Sequence, residues 1–333
     1  MQIRNVWFRM AKFSGCAGVG NGYNERRNHR YLGEEWGMLK SHERYAYSGI
    51  SRRPDYSWPD GKRLAVHLSL NIEHWAFGEG LGNDLAGPSP MPNHRSYAWR
   101  DYGNRVGVWR LHELAQEFEL PITVLLNTEI YDYCPEVVAA FRARGDEVVG
   151  HGRTNAERQI DMSLEEETRC IAETTAAIKK HEGKAPLGWL APYISQTYVS
   201  LDLLKEAGYR YMMDWPCDDQ PFWMKTRSGP ILSIPYPTEI NDSLQMLNRM
   251  ATPTEFADFV INNFEEMLEQ SKRHPLVMGI SLHGHVLGQP YRLHEFRRAI
   301  RHIVSKRNEI WLTHPGEICK HVEGLPKGIV PGS

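Results

Sequence analysis

The stretch Arg63-Leu-Ala-Val-His-Leu-Ser-Leu-Asn71-Ile-Glu73-His74-Trp75 decides the fold. It is an apolar run that stops abruptly at a carboxylate and an imidazole. The turn Trp58-Pro-Asp-Gly61 precedes it and a glycine-bearing loop follows it, so the pattern predicts a buried β-strand rather than a helix. Ligands of α/β folds bind at the carboxyl ends of such strands, and Glu73 and His74 therefore mark a candidate site.

The rest of the chain repeats this arrangement of a strand followed by a helix. Capping boxes at Ser163-Leu-Glu-Glu166 and Thr252-Pro-Thr-Glu255 open two of the helices, and Gly145 and Gly183 end two. About seven β/α units without a break in composition predict a single parallel α/β barrel or sheet. Further strands are predicted at residues 122–126, 147–150, 187–191, 210–213, 276–282 and 310–313, and helices at 104–118, 135–144, 164–182, 198–207, 253–272 and 294–306; residues 231–236 form an apolar segment.

Composition narrows the classes of partner. The chain has 333 residues, 41% hydrophobic and 24% charged, with a net charge of -2. This balance gives no electrostatic reason to expect nucleic acid or an anionic membrane. No apolar run approaches the roughly 20 residues needed to span a bilayer. We therefore expect no nucleic-acid or membrane partner.

Cysteine usage and the chain ends supply further expectations. The five cysteines are scattered and form no C-x-x-C pair, which argues against a disulfide framework and favours a reducing cytoplasm. Residues 1–50 are predicted to form an irregular N-terminal arm. Residues 51–322 are predicted to form the α/β domain, and residues 323–333 a C-terminal tail. An arm of this length suggests a homo-oligomer, since it needs a surface to cover.

Titratable and polar side chains recur at the predicted strand ends. In a parallel barrel these ends lie at one rim, so the side chains should meet in one cavity. Any one of them alone is more often a hydrogen-bonded structural histidine or a helix cap, but their repetition at equivalent positions favours a site. They are Glu73, His74, His151, Tyr193, Asp214 and His283.

These strand ends also carry short motifs in a fixed order. They are Asn71-Ile72-Glu73-His74, His151-Gly-Arg-Thr-Asn155, Leu190-Ala-Pro-Tyr193, Asp214-Trp215 with Asp218-Asp219, and Leu282-His283. In this order the chain, over about residues 55–315, resembles the polysaccharide deacetylase superfamily (NodB-homology, carbohydrate esterase family four). The resemblance implies a distorted (β/α)7 barrel of the NodB-homology type, in a single domain with the N-terminal arm.

The resemblance also implies roles for individual residues. That family hydrolyses amide or ester bonds, usually with a divalent metal held by an aspartate and two histidines. Glu73 then occupies the position of the general base and His283 that of the general acid. His74, His151 and Asn155 occupy the metal-ligand positions, and His151 would also stabilise the oxyanion.

Departures from the family motifs bear on the metal. Asn155 replaces a ligand histidine, and His74 replaces the ligand aspartate. A site of two imidazoles and a neutral amide lacks the anion that zinc normally gains from a carboxylate. We therefore expect at most one divalent metal, such as zinc, bound weakly or absent. A shifted metal site that uses Glu73 or His285 is the alternative.

Three further stretches resemble one branch of the superfamily, that of allantoinases and cyclic-imide hydrolases. They are the Asn-x-Glu strand end, the turn Trp58-Pro-Asp-Gly61 and the segment Tyr102-Gly-Asn-Arg-Val-Gly-Val-Trp-Arg-Leu111. This resemblance implies a hydrolase of non-peptide carbon–nitrogen bonds in a small amide, ureide or cyclic imide. Side chains expected to bind the substrate are Arg153, Asn155, Trp189, Tyr193, Asp214 and Trp215.

Two other functions remain open at this stage. The first is a metal-dependent N-acetyl-sugar deacetylase, acting on polysaccharide or chito-oligosaccharide, with a rearranged metal site. The second is a non-catalytic binding protein that keeps the barrel without its chemistry. The presence of Glu73 and His283 weighs against the second, because both proton-transfer positions are filled.

Overall fold

Strand β1 (Leu64–Ile72) lies between two parallel neighbours in the sheet, and each of its nine residues is buried. Such a strand is covered on both faces, which explains why its sequence is almost continuously apolar. The computed structural model describes residues 42–78 and 92–333. Within them β1 pairs in parallel with β2 (Ile122–Leu126) on one side and with β8 (Leu276–His283) on the other.

The sheet extends from β1 as the sequence pattern predicts. Its described strands follow the order β6-β7-β5-β4-β3-β2-β1-β8, with β9 paired to β1. All neighbours are parallel except β6, which is antiparallel to β7. The remaining strands are β3 (Glu147–Gly150), β4 (Gly188–Trp189), β5 (Tyr211–Met212), β6 (Phe222–Met224), β7 (Ile231–Ser233) and β9 (Trp311–Leu312).

The sheet curls until its two ends approach each other. Past β7, Asn241 bridges Ser281 of β8, and the Ser281 backbone N–H donates to the Ile240 carbonyl over 3.0 Å. The distorted parallel α/β barrel predicted from the sequence is therefore confirmed. Helices around it are α1 (His94–Tyr102), α2 (Val108–Glu117), α3 (Ile130–Tyr133), α4 (Pro135–Ala143), α5 (Leu164–Glu182), α6 (Ser200–Glu206), α7 (Pro253–Ser271), α8 (Gly284–Leu287), α9 (Pro290–Ser305) and α10 (Pro315–Glu323).

Both predicted capping boxes are confirmed. The Ser163 hydroxyl accepts from the backbone N–H of Glu166 at the start of α5, and Thr252 does the same for Glu255 at the start of α7. The side chain of each glutamate accepts from the backbone N–H of the capping residue in return. Gly183 ends α5 with a φ of 74°, a left-handed conformation that glycine adopts without strain.

The structure departs from the sequence prediction at several elements. Helix α1, strand β6 and helix α10 were not predicted, and β4 and β5 are shorter than expected. The predicted helix at 104–118 is divided, because residues Gly103–Gly107 form a π-helical turn between α1 and α2. A Cβ atom on Gly107 would overlap the backbone of Gly284, so this turn and α8 touch backbone against backbone. Hydrophobic periodicity does not report such a contact.

Residues 42–333 form one compact unit. The predicted arm falls mostly on residues outside the described ranges, but its end is described, and Arg44 makes an ion pair of 2.9 Å with Asp202. In the predicted tail, Val330 is buried and the Pro331 carbonyl accepts from the backbone N–H of Trp223. In the described part of the chain, no helix is long and apolar enough to cross a membrane. The domain boundaries remain predictions.

Gly188 in β4 generates a prediction about stability. A Cβ atom at this position would overlap the ring of the fully buried Tyr211 on the neighbouring strand. The variant Gly188→Ala should therefore lower the free energy of unfolding by about 1–3 kcal/mol, the usual cost of overpacking a core. Urea denaturation measures this change.

Gly145 supplies the matched control. It has a φ of 81°, and a Cβ atom added there would meet nothing within 4 Å. Asparagine tolerates the left-handed conformation, so Gly145→Asn should cost less than Gly188→Ala. Equal unfolding free energies for the two variants would contradict the close packing of β4 on β5.

Candidate active site

A cavity of about 340 Å³ opens at the carboxyl ends of the strands. Its polar wall comes from residues that follow β1, β3, β4, β7 and β8, so the rim predicted from the chain direction carries the site. The lining residues are Asn71, Glu73, Trp75, Arg100, His151, Asn155, Leu190, Ala191, Tyr193, Ile194, Tyr236, Thr238, Asn241, Ser243, Leu244, Asn248, His283 and His285.

Glu73 lies at the centre of this cavity and is only 7% exposed. Its Oε1 accepts a hydrogen bond of 2.6 Å from Nδ2 of Asn155. The same oxygen lies 3.5 Å from Nε2 of His151 and 3.8 Å from Nε2 of His283. Residues far apart in the sequence thus meet around one carboxylate.

The environment of Glu73 keeps it ionised. Burial alone would raise the pKa of this carboxyl group, because a charge loses its hydration in the interior. The imidazoles of His283 and His151 outweigh burial and lower the pKa of Glu73 to about 2. The backbone is fixed as well, since Nδ2 of Asn104 donates to the Glu73 carbonyl over 2.9 Å.

His283 is held by Asp242, a carboxylate that the sequence analysis missed. Nδ1 of His283 lies 2.6 Å from Oδ1 of Asp242, and the His283 backbone N–H donates to Oδ2 over 2.8 Å. Burial lowers the pKa of His283, but Asp242 and Glu73 raise it above its usual value. The ring therefore carries a proton on Nε2, which faces Glu73. Asp242 follows the apolar segment 231–236 in the sequence. The hydrophobic pattern did not indicate that the chain after this segment reaches His283.

His151 and His285 complete the group of imidazoles. Nδ1 of His151 lies 2.7 Å from the Leu190 carbonyl, which can only accept, so Nδ1 carries a proton and Nε2 faces the cavity. His285 packs edge-on against the rings of Trp75 and Trp99. Burial and the nearby His283 lower the pKa of His285 to about 3, so its ring is neutral.

His74 does not lie in the cavity, although the sequence analysis gave it a metal-ligand position. Its Nδ1 lies 2.6 Å from Oε2 of Glu129, and its ring packs against Tyr133. Side chains alternate between the two faces of an extended segment, so Glu73 and His74 point in different directions. The carboxylate that accompanies His151 and Asn155 is Glu73, as in the shifted arrangement considered from the sequence.

Of the side chains expected to bind substrate, Asn155 and Tyr193 line the cavity and four do not. Arg153 makes ion pairs with Glu157 and Glu173. The other three have structural partners. Trp189 is fully buried and donates to Gln159. Asp214 accepts from the Ala191 backbone N–H and from the Gln196 side chain. Trp215 donates to the side-chain oxygen of Gln196.

Asp214 nevertheless holds a segment of the cavity wall in place. Its two hydrogen bonds of 2.7 Å hold the segment that contains Leu190, the partner of His151, and Tyr193. Burial raises the pKa of Asp214 to about 7. Tyr193 has a φ of 59°, a conformation that is uncommon for residues other than glycine. Several anchored contacts are therefore needed to hold this segment.

The sequence analysis also missed polar residues on the cavity wall. Arg100 of α1 is 8% exposed, and its guanidinium lies 4.9 Å from the centre of the Trp75 ring. Tyr236 shares a short hydrogen bond of 2.6 Å with Ser281, which also accepts from Asn71. Arg100 lies in a helix that the pattern did not predict, and no sequence signal connected it with the strand ends.

The donor set does not fit the divalent metal that the resemblance implies. In the described part of the chain, no group of three His, Cys, Asp or Glu side chains is placed to hold a metal ion. Glu73 and His151 supply one oxygen and one nitrogen, but the third position presents the amide nitrogen of Asn155 to Glu73. That N–H group cannot coordinate a cation, and it occupies a lone pair of the carboxylate.

Comparisons of the sequence agree with this fold. Residues 93–212 match the family model described as polysaccharide deacetylase. A Schizosaccharomyces pombe protein named as a polysaccharide deacetylase is 26% identical over 300 residues, which cover 79% of this chain and 91% of the relative. A peptidoglycan deacetylase of Helicobacter pylori is 27% identical over 150 residues, which cover 45% of this chain and 49% of the relative.

Solved structures give the same result for the fold. A Pseudomonas aeruginosa protein named as a polysaccharide deacetylase superposes with a TM-score of 0.72 at 24% identity, covering 79% of this chain and 92% of its own. An allantoinase superposes with a TM-score of 0.70 at 25% identity, covering 79% and 91%. In its barrel fold and over these matched stretches, the chain is similar to proteins of the polysaccharide deacetylase family.

Proposed function

We propose that this hydrolase cleaves the carbon–nitrogen bond of a small amide, ureide or cyclic imide. The observation that carries the proposal is the placement of an ionised carboxylate, Glu73, within 3.8 Å of a proton-bearing imidazole, His283. The cavity of about 340 Å³ has the size of a small-molecule site. Similarity to an allantoinase over 79% of the chain also supports this substrate class.

The mechanism uses these two groups as base and acid. Glu73 accepts a proton from a water molecule as its oxygen attacks the carbonyl carbon. His283, held by Asp242, gives its Nε2 proton to the leaving nitrogen as the carbon–nitrogen bond breaks. The charged form of His151, whose Nε2 faces the same space, would donate to the developing oxyanion.

The electrostatics of the pair link the two proton transfers. A carboxylate with a pKa of about 2 is a weak base, and its pKa is low because protonated His283 lies nearby. When His283 gives up its proton, this attraction disappears and the pKa of Glu73 rises. The base therefore becomes stronger as the acid is consumed, which keeps the two transfers in step.

The first test removes each of the two groups. Glu73→Gln and His283→Ala should each lower kcat by about 10²- to 10⁴-fold, because each proton transfer contributes that much to rate. Ring opening of allantoin, hydantoin and succinimide is measured beside acetate release from chito-oligosaccharides. Thermal unfolding followed by circular dichroism checks that the variants fold.

The pair formed by His74 and Glu129 provides the matched control. It has the same residue types in an ion pair, but neither residue lines the cavity. His74→Ala and Glu129→Gln should keep the rate of the unaltered protein. Full activity in Glu73→Gln would refute the mechanism, and acetate release without any ring opening would refute the substrate class.

The second test is the pH dependence of kcat/KM. The reaction needs protonated His283, whose pKa lies above its usual value, so activity is lost as pH rises through that raised pKa. Asp242→Asn removes the larger of the two carboxylate charges that raise it. The alkaline limb should then move to lower pH by about one unit or more. An unmoved limb, or an unmoved His283 titration by NMR, would exclude the assigned acid.

The third test is removal of metal. Since the donor set around Glu73 does not suit a divalent cation, treatment with a chelator followed by desalting should leave kcat/KM unchanged. Metal content before and after treatment is measured by plasma mass spectrometry. Loss of activity on chelation, with recovery on addition of zinc, would show that the residues around Glu73 do hold a catalytic metal.

A further inference from the structure

We infer that Asn155 selects substrates whose scissile amide carries an N–H group, by accepting that hydrogen bond at its side-chain oxygen. The inference rests on the proposed function and adds a recognition rule to it. Asn155 is 3% exposed and lines the cavity, and it stands where the family motif has a metal-ligand histidine.

The orientation of the Asn155 amide follows from the chemistry of its neighbour. A carboxylate oxygen accepts hydrogen bonds and an amide nitrogen donates them. The 2.6 Å contact joins Nδ2 of Asn155 to Oε1 of Glu73. This places Oδ1 on the opposite side of the amide.

Oδ1 of Asn155 has no hydrogen-bond partner among the described residues, although it is fully buried. A buried polar atom without a partner costs free energy, so such atoms in native proteins usually serve a ligand or a water molecule. An acceptor at the wall of the cavity calls for a donor in whatever fills it. A ligand that fills the cavity without offering a donor leaves this cost in place.

The position of Asn155 is fixed before any ligand arrives. Its backbone N–H donates to the His74 carbonyl over 2.8 Å, and its own carbonyl accepts from the Tyr193 hydroxyl over 2.8 Å. With its side chain tied to Glu73 as well, the amide cannot turn away from an unsuitable ligand. An acceptor held in this way discriminates more strongly than one on a mobile side chain.

The surroundings match both sides of an amide group. His283 presents an N–H donor, Arg100 adds a cation to the wall, and Asn155 supplies a neutral acceptor. Ureides, cyclic imides and secondary amides combine carbonyl oxygens with N–H groups. Esters and N-methylated imides have the carbonyl oxygen but lack the N–H group, so Asn155 would disfavour them.

The experiment compares succinimide with N-methylsuccinimide, and hydantoin with its N-methyl analogues, in the unaltered protein and in Asn155→Ala. The unaltered protein should prefer the N–H form by roughly 10-fold or more in kcat/KM. Asn155→Ala also removes the hydrogen bond to Glu73, so the rates for the N–H and the N-methyl substrate both fall. Their ratio should nevertheless approach one, because the acceptor is gone and the methyl group gains space.

Ser243→Ala is the control, since Ser243 is another polar residue of the cavity wall. It should keep the preference for the N–H form. An unchanged preference in Asn155→Ala would overturn the inference while ring opening itself upholds the proposed function. No turnover of any of these compounds by the unaltered protein would overturn both.

A metal measurement gives the remaining outcome. If Asn155 is instead a metal ligand, the purified protein will bind zinc stoichiometrically and Asn155→Ala will reduce that binding. Titration with zinc alone, followed by calorimetry, detects this directly. Such binding would overturn the inference, and its absence in both proteins agrees with a purely organic ligand.

Discussion

The site depends on keeping one buried carboxylate charged. Glu73 is removed from water, and an isolated carboxylate in such a place would take up a proton. The chain prevents this with two imidazoles and an amide that reach it from other strands and loops. Those groups must themselves be held, by Asp242, the Leu190 carbonyl and Tyr193. Much of the polar structure at this rim therefore serves the ionisation state of one residue.

The parallel barrel makes this arrangement possible with little additional structure. Because neighbouring strands run in the same direction, each ends at the same rim, and the residue after the strand points toward a common centre. The amide of Asn155 closes the group around Glu73. Hydrogen bonds therefore help to organise this group.

The sequence predicted the framework of this fold well and the details of the site less well. The strands, capping boxes and convergence of Glu73, His151 and His283 followed from periodicity and chain direction, which are local properties. His74 was misplaced because a motif match cannot tell which of two adjacent residues points inward. Arg100, which lines the cavity, and Asp242, which contacts His283, were missed because they lie in segments without a strand-end pattern. The roles of Asp242 and Arg100 depend on where the folded chain places them.

The contact between the π-helical turn Gly103–Gly107 and α8 has a consequence for how the two reactive groups are spaced. Asn104 in the turn anchors the Glu73 carbonyl, and Gly284 in α8 directly follows His283. Where the two backbones touch, no side chain lies between them. Main-chain atoms, which have no rotamers, therefore set the distance between His283 and Glu73. A methyl group at this contact would push the two backbones apart. It would change the distance between Glu73 and His283 without altering either side chain.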